Sequence, residues 1–186
     1  MKILFETTDI KNTAFNDYSV IVESTSPREP QKIKISGPYI ACNVVNANGR
    51  MYDLDYFVES VVPEYMNTWV NQKRAYAELN HPQSHVVDPK NASDLILNLT
   101  QDGNTFIGES IVLNGDTRLG IPGTPNGDIL AAILLRGGRI GKSTRGAVDN
   151  PNNKKIDKNN AYNLITVDTV LEPSGPGCWI GDVILE

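Results

Sequence analysis

Histidine and cysteine are scarce in this chain: 186 residues hold two of each. Cys42 and Cys178 lie far apart and have no metal-ligand spacing, which excludes a zinc ribbon or a disulfide framework and leaves free thiols as the expectation. Basic residues are in deficit too, with 17 Lys and Arg against 22 Asp and Glu, a net charge of −5. No basic stripe marks a nucleic-acid partner. No apolar run is long enough for a membrane span or a secretory signal, so no membrane partner is expected. There is no internal repeat or low-complexity tract. What remains is an ordinary globular composition, 40% hydrophobic and 21% charged, at a length that suits one substantial core.

The patterning predicts many short strands and two helices. Residues 1–32 are polar and broken by Ser26-Pro27-Arg28-Glu29-Pro30, so they read as an N-terminal arm with one strand at Tyr18–Glu23, and residues 33–186 as the main domain. Strands are expected at Lys32–Ser36 and Tyr39–Val45, parted by the breaker pair Gly37-Pro38. Leu54–Arg74 carries apolar residues at helical spacing, with Pro63 kinking or splitting the helix. Asp94–Leu99 and Thr105–Leu113 form a hairpin about Gln101-Asp102-Gly103-Asn104. A short helix is expected at Asp128–Leu135, a surface loop at Pro151–Asn160, and closing strands at Asn163–Leu171 and Trp179–Leu185. The fold class is α+β, a β-barrel-like, mostly antiparallel sheet flanked by a few helices.

Two segments carry the chemistry. Glu78-Leu79-Asn80-His81-Pro82 holds one of the histidines. Gly141-Lys142-Ser143-Thr144-Arg145-Gly146 reads as a glycine-bracketed loop around a serine. Serine needs an adjacent base to become a nucleophile, and an imidazole needs an acid to fix its tautomer. His81 and Ser143 supply the first two; Asp168, in an expected strand, is favoured for the third over Asp88. A phosphate-binding loop fails, because Arg136 stands where its first glycine belongs and the flanking elements are wrong. A zinc site from His81, His85 and Asp88 lacks the helical spacing, since Pro82 interrupts it. No cofactor and no metal are expected.

The ordered set Asn46-Ala47-Asn48-Gly49-Arg50-Met51-Tyr52, Glu78–Pro82, Gly141–Gly146 and Val167-Asp168-Thr169-Val170-Leu171-Glu172-Pro173-Ser174 resembles the prohead maturation proteases of tailed bacteriophages, T-even type, distantly related to the herpesvirus assemblins. The resemblance implies a herpesvirus-protease-like fold and a serine endopeptidase with His81 as base and Ser143 as nucleophile. The herpesvirus enzymes use a histidine as third member, and none follows Ser143 here. Backbone groups of Thr144, Arg145 and Gly146 are candidates for oxyanion donors. The resemblance further implies cleavage after Glu in Leu/Ile-x-Glu, with scaffold and major capsid proteins as substrates, inside the viral prohead in the host cytoplasm. A carboxylate at the cleavage site asks for a cation, and Arg50, Lys142 and Arg145 are the candidates. Leu4-Phe5-Glu6, Ile21-Val22-Glu23 and Ile184-Leu185-Glu186 match the cleavage motif, so Glu6, Glu23 and Glu186 are candidate self-cleavage positions and the arm a candidate propeptide. A homo-oligomer is expected. The competing classes are a non-catalytic phage structural protein of the same fold and a zinc-dependent hydrolase.

Overall fold

The computed structural model describes residues 2–4, 19–22 and 30–186. Eleven strands fall into three sheets among these residues. They are β1 (Lys2–Leu4), β2 (Ser19–Val22), β3 (Ile33–Ala41), β4 (Met51–Tyr52), β5 (Tyr76–Glu78), β6 (Ala92–Asp102), β7 (Thr105–Val112), β8 (Gly141–Val148), β9 (Lys155–Ile156), β10 (Tyr162–Val170) and β11 (Asp182–Leu185). The orders are β1-β8-β10, β2-β11-β3-β7-β6-β5 and β4-β9. Pairing is antiparallel except β2 with β11 and β4 with β9. The expected α+β, mostly antiparallel class holds, but the strands do not close into one barrel.

Two irregular segments nevertheless bring the larger sheets together. Beyond β5, Leu79 bridges Thr169 of β10, and Asn80 N–H donates to Thr169 O at 2.7 Å. On the other side, Lys142 N–H donates to Cys178 O at 2.8 Å while Gly181 N–H donates to Ser36 O at 2.8 Å. Residues 178–181 therefore tie β8 to β3.

β3 runs straight through Gly37-Pro38, where two strands were expected. The chain kinks at a bulge between Pro38 and Ile40 rather than stopping. Glycine is required at 37 by close approach, since a Cβ there would lie 2.6 Å from Trp179 O. The β6–β7 hairpin turns at Gly103, whose φ of 57° suits a tight turn.

The long helix, α1, covers residues 54–70 as alternating α and π turns. Asp53 caps it, its carboxylate accepting from Tyr56 N–H at 3.1 Å. Pro63 sits at the start of the second α-helical stretch, directly after a π turn in which Val62 N–H reaches Phe57 O. The wider turn re-registers the carbonyls that a proline ring would otherwise strike, so the helix continues without splitting. The second helix, α2 (Pro125–Leu135), starts three residues earlier than expected, because Thr124 Oγ1 accepts from Gly127 N–H and Pro125 takes the first turn.

Two cores result. One gathers Tyr39, Tyr52, Phe57, Tyr65, Ile96, Phe106 and Tyr162, with Tyr52 and Phe57 stacked at 4.8 Å. The other lies under α2 and joins Ile33, Ile35, Leu130, Leu134, Ile140 and Val183. The expected loop at 151–160 contributes β9, whose Ile156 is fully buried. The stretch at 1–32 supplies β1 and β2, each paired into a sheet.

Candidate active site

Gly141–Gly146 is not a loop. It forms most of β8, and all eight residues of that strand are buried. Polar side chains survive there because each has a partner. Alternation along the strand divides them between two faces, and directly opposed residues of an antiparallel pair share a face.

On one face lie Ser143 and Arg145. Asp168 of β10 stands directly opposite Ser143. Asp168 is fully buried, and its Oδ2 is 2.9 Å from His81 Nδ1. Its Oδ1 accepts from Glu78 N–H at 3.0 Å and from Arg145 Nη2 at 3.2 Å. Arg145 Nε adds an ion-pair contact of 2.8 Å to Oδ2, without hydrogen-bond alignment. The same guanidinium pairs with Glu78 and points Nη1 at Ser84 O, 3.3 Å away. His81 reaches this cluster because Asn80 takes a left-handed conformation, φ 68°, and turns the chain back after β5.

Arg145 is thus flanked by two carboxylates, and charge that develops on the imidazole meets a compensating carboxylate. His81 is only 3% exposed through its side chain, and its Nε2 is buried without a hydrogen-bond partner among the described residues. Ser143, 2% exposed, has its Oγ 3.3 Å from Ser174 Oγ. Ser174 O in turn accepts from Ala47 N–H at 3.1 Å, which ties the Asn46–Arg50 turn to the serine.

On the opposite face Lys142 pairs with Asp94 at 2.5 Å and lies 4.9 Å from the Tyr39 ring centroid. Burial pulls the ammonium pKa below its ordinary value, against the opposing influence of Asp94. Asp94 also accepts from Thr169 Oγ1 at 2.7 Å and Ser93 Oγ at 2.8 Å. Thr144 Oγ1 meets Tyr52 OH at 2.8 Å.

The expected residues therefore separate. His81 and Arg145 both meet Asp168, which stands opposite Ser143 on the neighbouring strand. Lys142 and Arg145 are fully buried and ion-paired, so neither offers a free cation to a glutamate. Arg50 follows the Asn46 turn, whose Oδ1 accepts from Arg50 N–H at 2.9 Å. Asp88 caps a 3₁₀ turn through Lys90 N–H, and His85 is exposed. Among the described residues no three His, Cys, Asp or Glu converge as a metal site. Glu6 and Glu23 lie outside the described residues; Glu186 follows β11 and pairs with Lys34. A cleft of about 390 Å³ beside His85 is lined by Trp69, Tyr76, Val86 and Leu164 and includes neither His81 nor Ser143. Sequence reasoning gave no role to Glu78, Asp94 or Ser174. The signal for Glu78 was its place in the His81 segment, three residues before that histidine.

Residues 17–186 match the family described as prohead core protein serine protease. The prohead core protein protease of Enterobacteria phage T4 is 33% identical over 154 residues. That match spans 78% of this chain and 66% of the relative, so about a third of that protein lies beyond it. The solved structure of the bacteriophage T4 capsid assembly protease, gp21, superposes with a TM-score of 0.69 at 28% identity, covering 92% of this chain and 98% of that one. A family match across nearly the whole length, joined to the shared fold, places this chain in the prohead core serine protease family.

Proposed function

We propose that this protein is a serine endopeptidase of capsid maturation, with Ser143 as nucleophile, His81 as general base and Asp168 as the acid that orients it. The observation that carries the reading is the Asp168 to His81 Nδ1 contact, which leaves Nε2 without a hydrogen-bond partner among the described residues while Asp168 stands opposite Ser143. Asp168 fixes the tautomer with hydrogen on Nδ1, so the Nε2 lone pair is the proton acceptor. Ser143 Oγ adds to the scissile carbonyl carbon as its proton passes to Nε2. The carbonyl oxygen becomes an oxyanion, met by N–H donors of the Thr144–Gly146 backbone. His81 then returns the proton to the leaving amine as the C–N bond breaks, and water repeats the cycle to release the acyl group.

The substrates on this reading are scaffold and capsid proteins inside the prohead, cut after Glu in Leu/Ile-x-Glu. Arg50 is the candidate partner of that glutamate by its place on the Asn46 turn that is tied to Ser174; Lys142 and Arg145 pair with buried carboxylates. Self-processing at Glu6, Glu23 or Glu186 belongs to the same proposal, as does action as a homo-oligomer. Cleavage of a fluorogenic Leu-x-Glu peptide by wild type, Ser143→Ala and His81→Ala tests it. Each variant is expected to lose about 10³-fold or more in kcat. Wild-type turnover in either one sinks the assignment.

A further inference from the structure

Consecutive residues of a strand face opposite ways, yet Ala77 and Glu78 of β5 are both buried. The register with β6 shifts between them, and this bulge turns Glu78 inward. Its carboxylate meets Arg145 of β8, and its Oε1 accepts from Asp88 N–H at 3.3 Å. Its main-chain N–H donates to Asp168 Oδ1 at 3.0 Å. Arg145 in turn meets Asp168 and donates through Nη1 to Ser84 O. The pair therefore grips the stretch after His81 at two points, Ser84 through Arg145 and Asp88 through Glu78.

The charges of this cluster do not cancel. Arg145 carries one positive charge and Asp168 and Glu78 one negative charge each, and all three side chains are at most 1% exposed. One carboxylate would neutralise the guanidinium. The second leaves a buried negative charge in excess, which is unfavourable unless a cation meets it. The group placed to supply that cation is His81, whose Nδ1 lies 2.9 Å from Asp168 Oδ2. The other charges nearby alter this sum little. Lys142 and Asp94 pair with each other on the opposite face of β8. Tyr65 packs near Asp168 from α1 as a neutral phenol, its pKa raised by burial. Asp88 and His85 are exposed on the stretch after His81.

We infer that Glu78 is a positioning residue of the reaction: acting through Arg145, it leaves Asp168 to serve His81 and holds one buried negative charge in excess, which the imidazolium cancels as it forms. The inference rests on the serine-protease reading and names what sets the strength of its base. As Ser143 Oγ bonds to the scissile carbon, its proton passes to Nε2, and the cluster goes from one net negative charge to none. Without the charge of Glu78, Arg145 belongs to Asp168 alone. The cluster is then neutral before the proton moves, and the imidazolium stands as a buried cation without compensation. Glu78 acts on the base through Arg145 and Asp168 rather than on the substrate.

Glu78→Gln keeps the size of the side chain and removes its charge. The pH profile of kcat/KM for a fluorogenic Leu-x-Glu peptide, measured on the full chain, tests the inference. With the compensating charge gone, His81 gives up its proton at lower pH. The acid limb is expected to move down by about one pH unit and the plateau kcat to fall about tenfold, with KM within about twofold. Glu78→Asp keeps the charge and is expected to restore the limb to within about 0.3 pH unit of wild type. A limb that stays in place in Glu78→Gln overturns the inference, because a purely structural residue would leave it there. Cleavage of the peptide by wild type and not by Ser143→Ala is the separate control: its failure removes the protease reading rather than the role of Glu78. A second measurement needs neither substrate nor a change at position 78. The chain has two histidines, so NMR of full-chain Ser143→Ala reads the imidazoles of His81 and His85 separately. The carboxyl carbon signals of Glu78 and Asp168 are expected to shift together at the His81 midpoint and not at that of His85. A Glu78 signal indifferent to His81 overturns the inference as well.

Discussion

Asp168 joins the candidate chemistry to the fold, because it meets His81, Arg145 and the Glu78 main chain at once. Asp168→Asn keeps the size of the side chain but offers an amide to Nδ1, so the imidazole settles in the wrong tautomer. Peptide turnover is expected to fall about 10³- to 10⁴-fold while KM stays within a few-fold, measured by steady-state kinetics. Arg145 acts differently. Its removal strands Glu78 and Asp168 as buried carboxylates without their counter-charge. Arg145→Ala is expected to cost about 3–5 kcal/mol, seen as a drop in the urea midpoint, whether or not substrate is present. A loss below about 1 kcal/mol would show that the cluster does not depend on its guanidinium. The two residues sit on one strand face, yet one variant reads in kcat and the other in stability.

At the scale of elements, what the sequence revealed depended on whether periodicity or partner chemistry set the structure. The 54–70 helix was legible from its apolar spacing, and the β6–β7 hairpin from Asp102-Gly103. β8 was not, because four of its first six residues are polar or charged and glycines bracket them. Those glycines serve close packing rather than flexibility: a Cβ at Gly141 would lie 2.6 Å from Cys178 O. The charges are buried because Asp94, Glu78 and Asp168 come from distant strands to meet them, which no local pattern encodes. Asp168 was legible as a candidate because a triad needs an acid, whereas Ser174 meets Ser143 and Glu78 meets Arg145 only through the fold. Asp53 supplies a test at this scale. The Tyr56 N–H that it accepts, with Lys155 nearby, holds its carboxyl below the ordinary 3.8. Its stabilisation is therefore complete above that ordinary value and disappears as pH falls through the lowered one. Asp53→Ala is expected to cost about 1 kcal/mol at pH 7 and to differ little from wild type in strong acid, by thermal melts at both pH values. An equal deficit at both would contradict the cap.

For the whole molecule, the class of fold was readable from many short strands and two helices, whereas the barrel-like closure expected from them does not form. The two larger sheets meet through residues 79–80 and 178–181, irregular segments whose role lies in single hydrogen bonds rather than in hydropathy. Both segments also border the site: the first delivers His81, and the second occupies the outer edge of β8 beside Ser143. The family membership was legible because four motifs occur in order, although each is short. What sequence order alone did not convey is that three of those motifs meet around β8 and β10. The account stands on Ser143 being the reactive hydroxyl of that meeting point. Treating the full chain with a small fluorophosphonate and locating the adduct by peptide mass spectrometry tests this most directly. The prediction is a single adduct on Ser143 that is lost in His81→Ala; an adduct on another serine, or one that persists without His81, would contradict it.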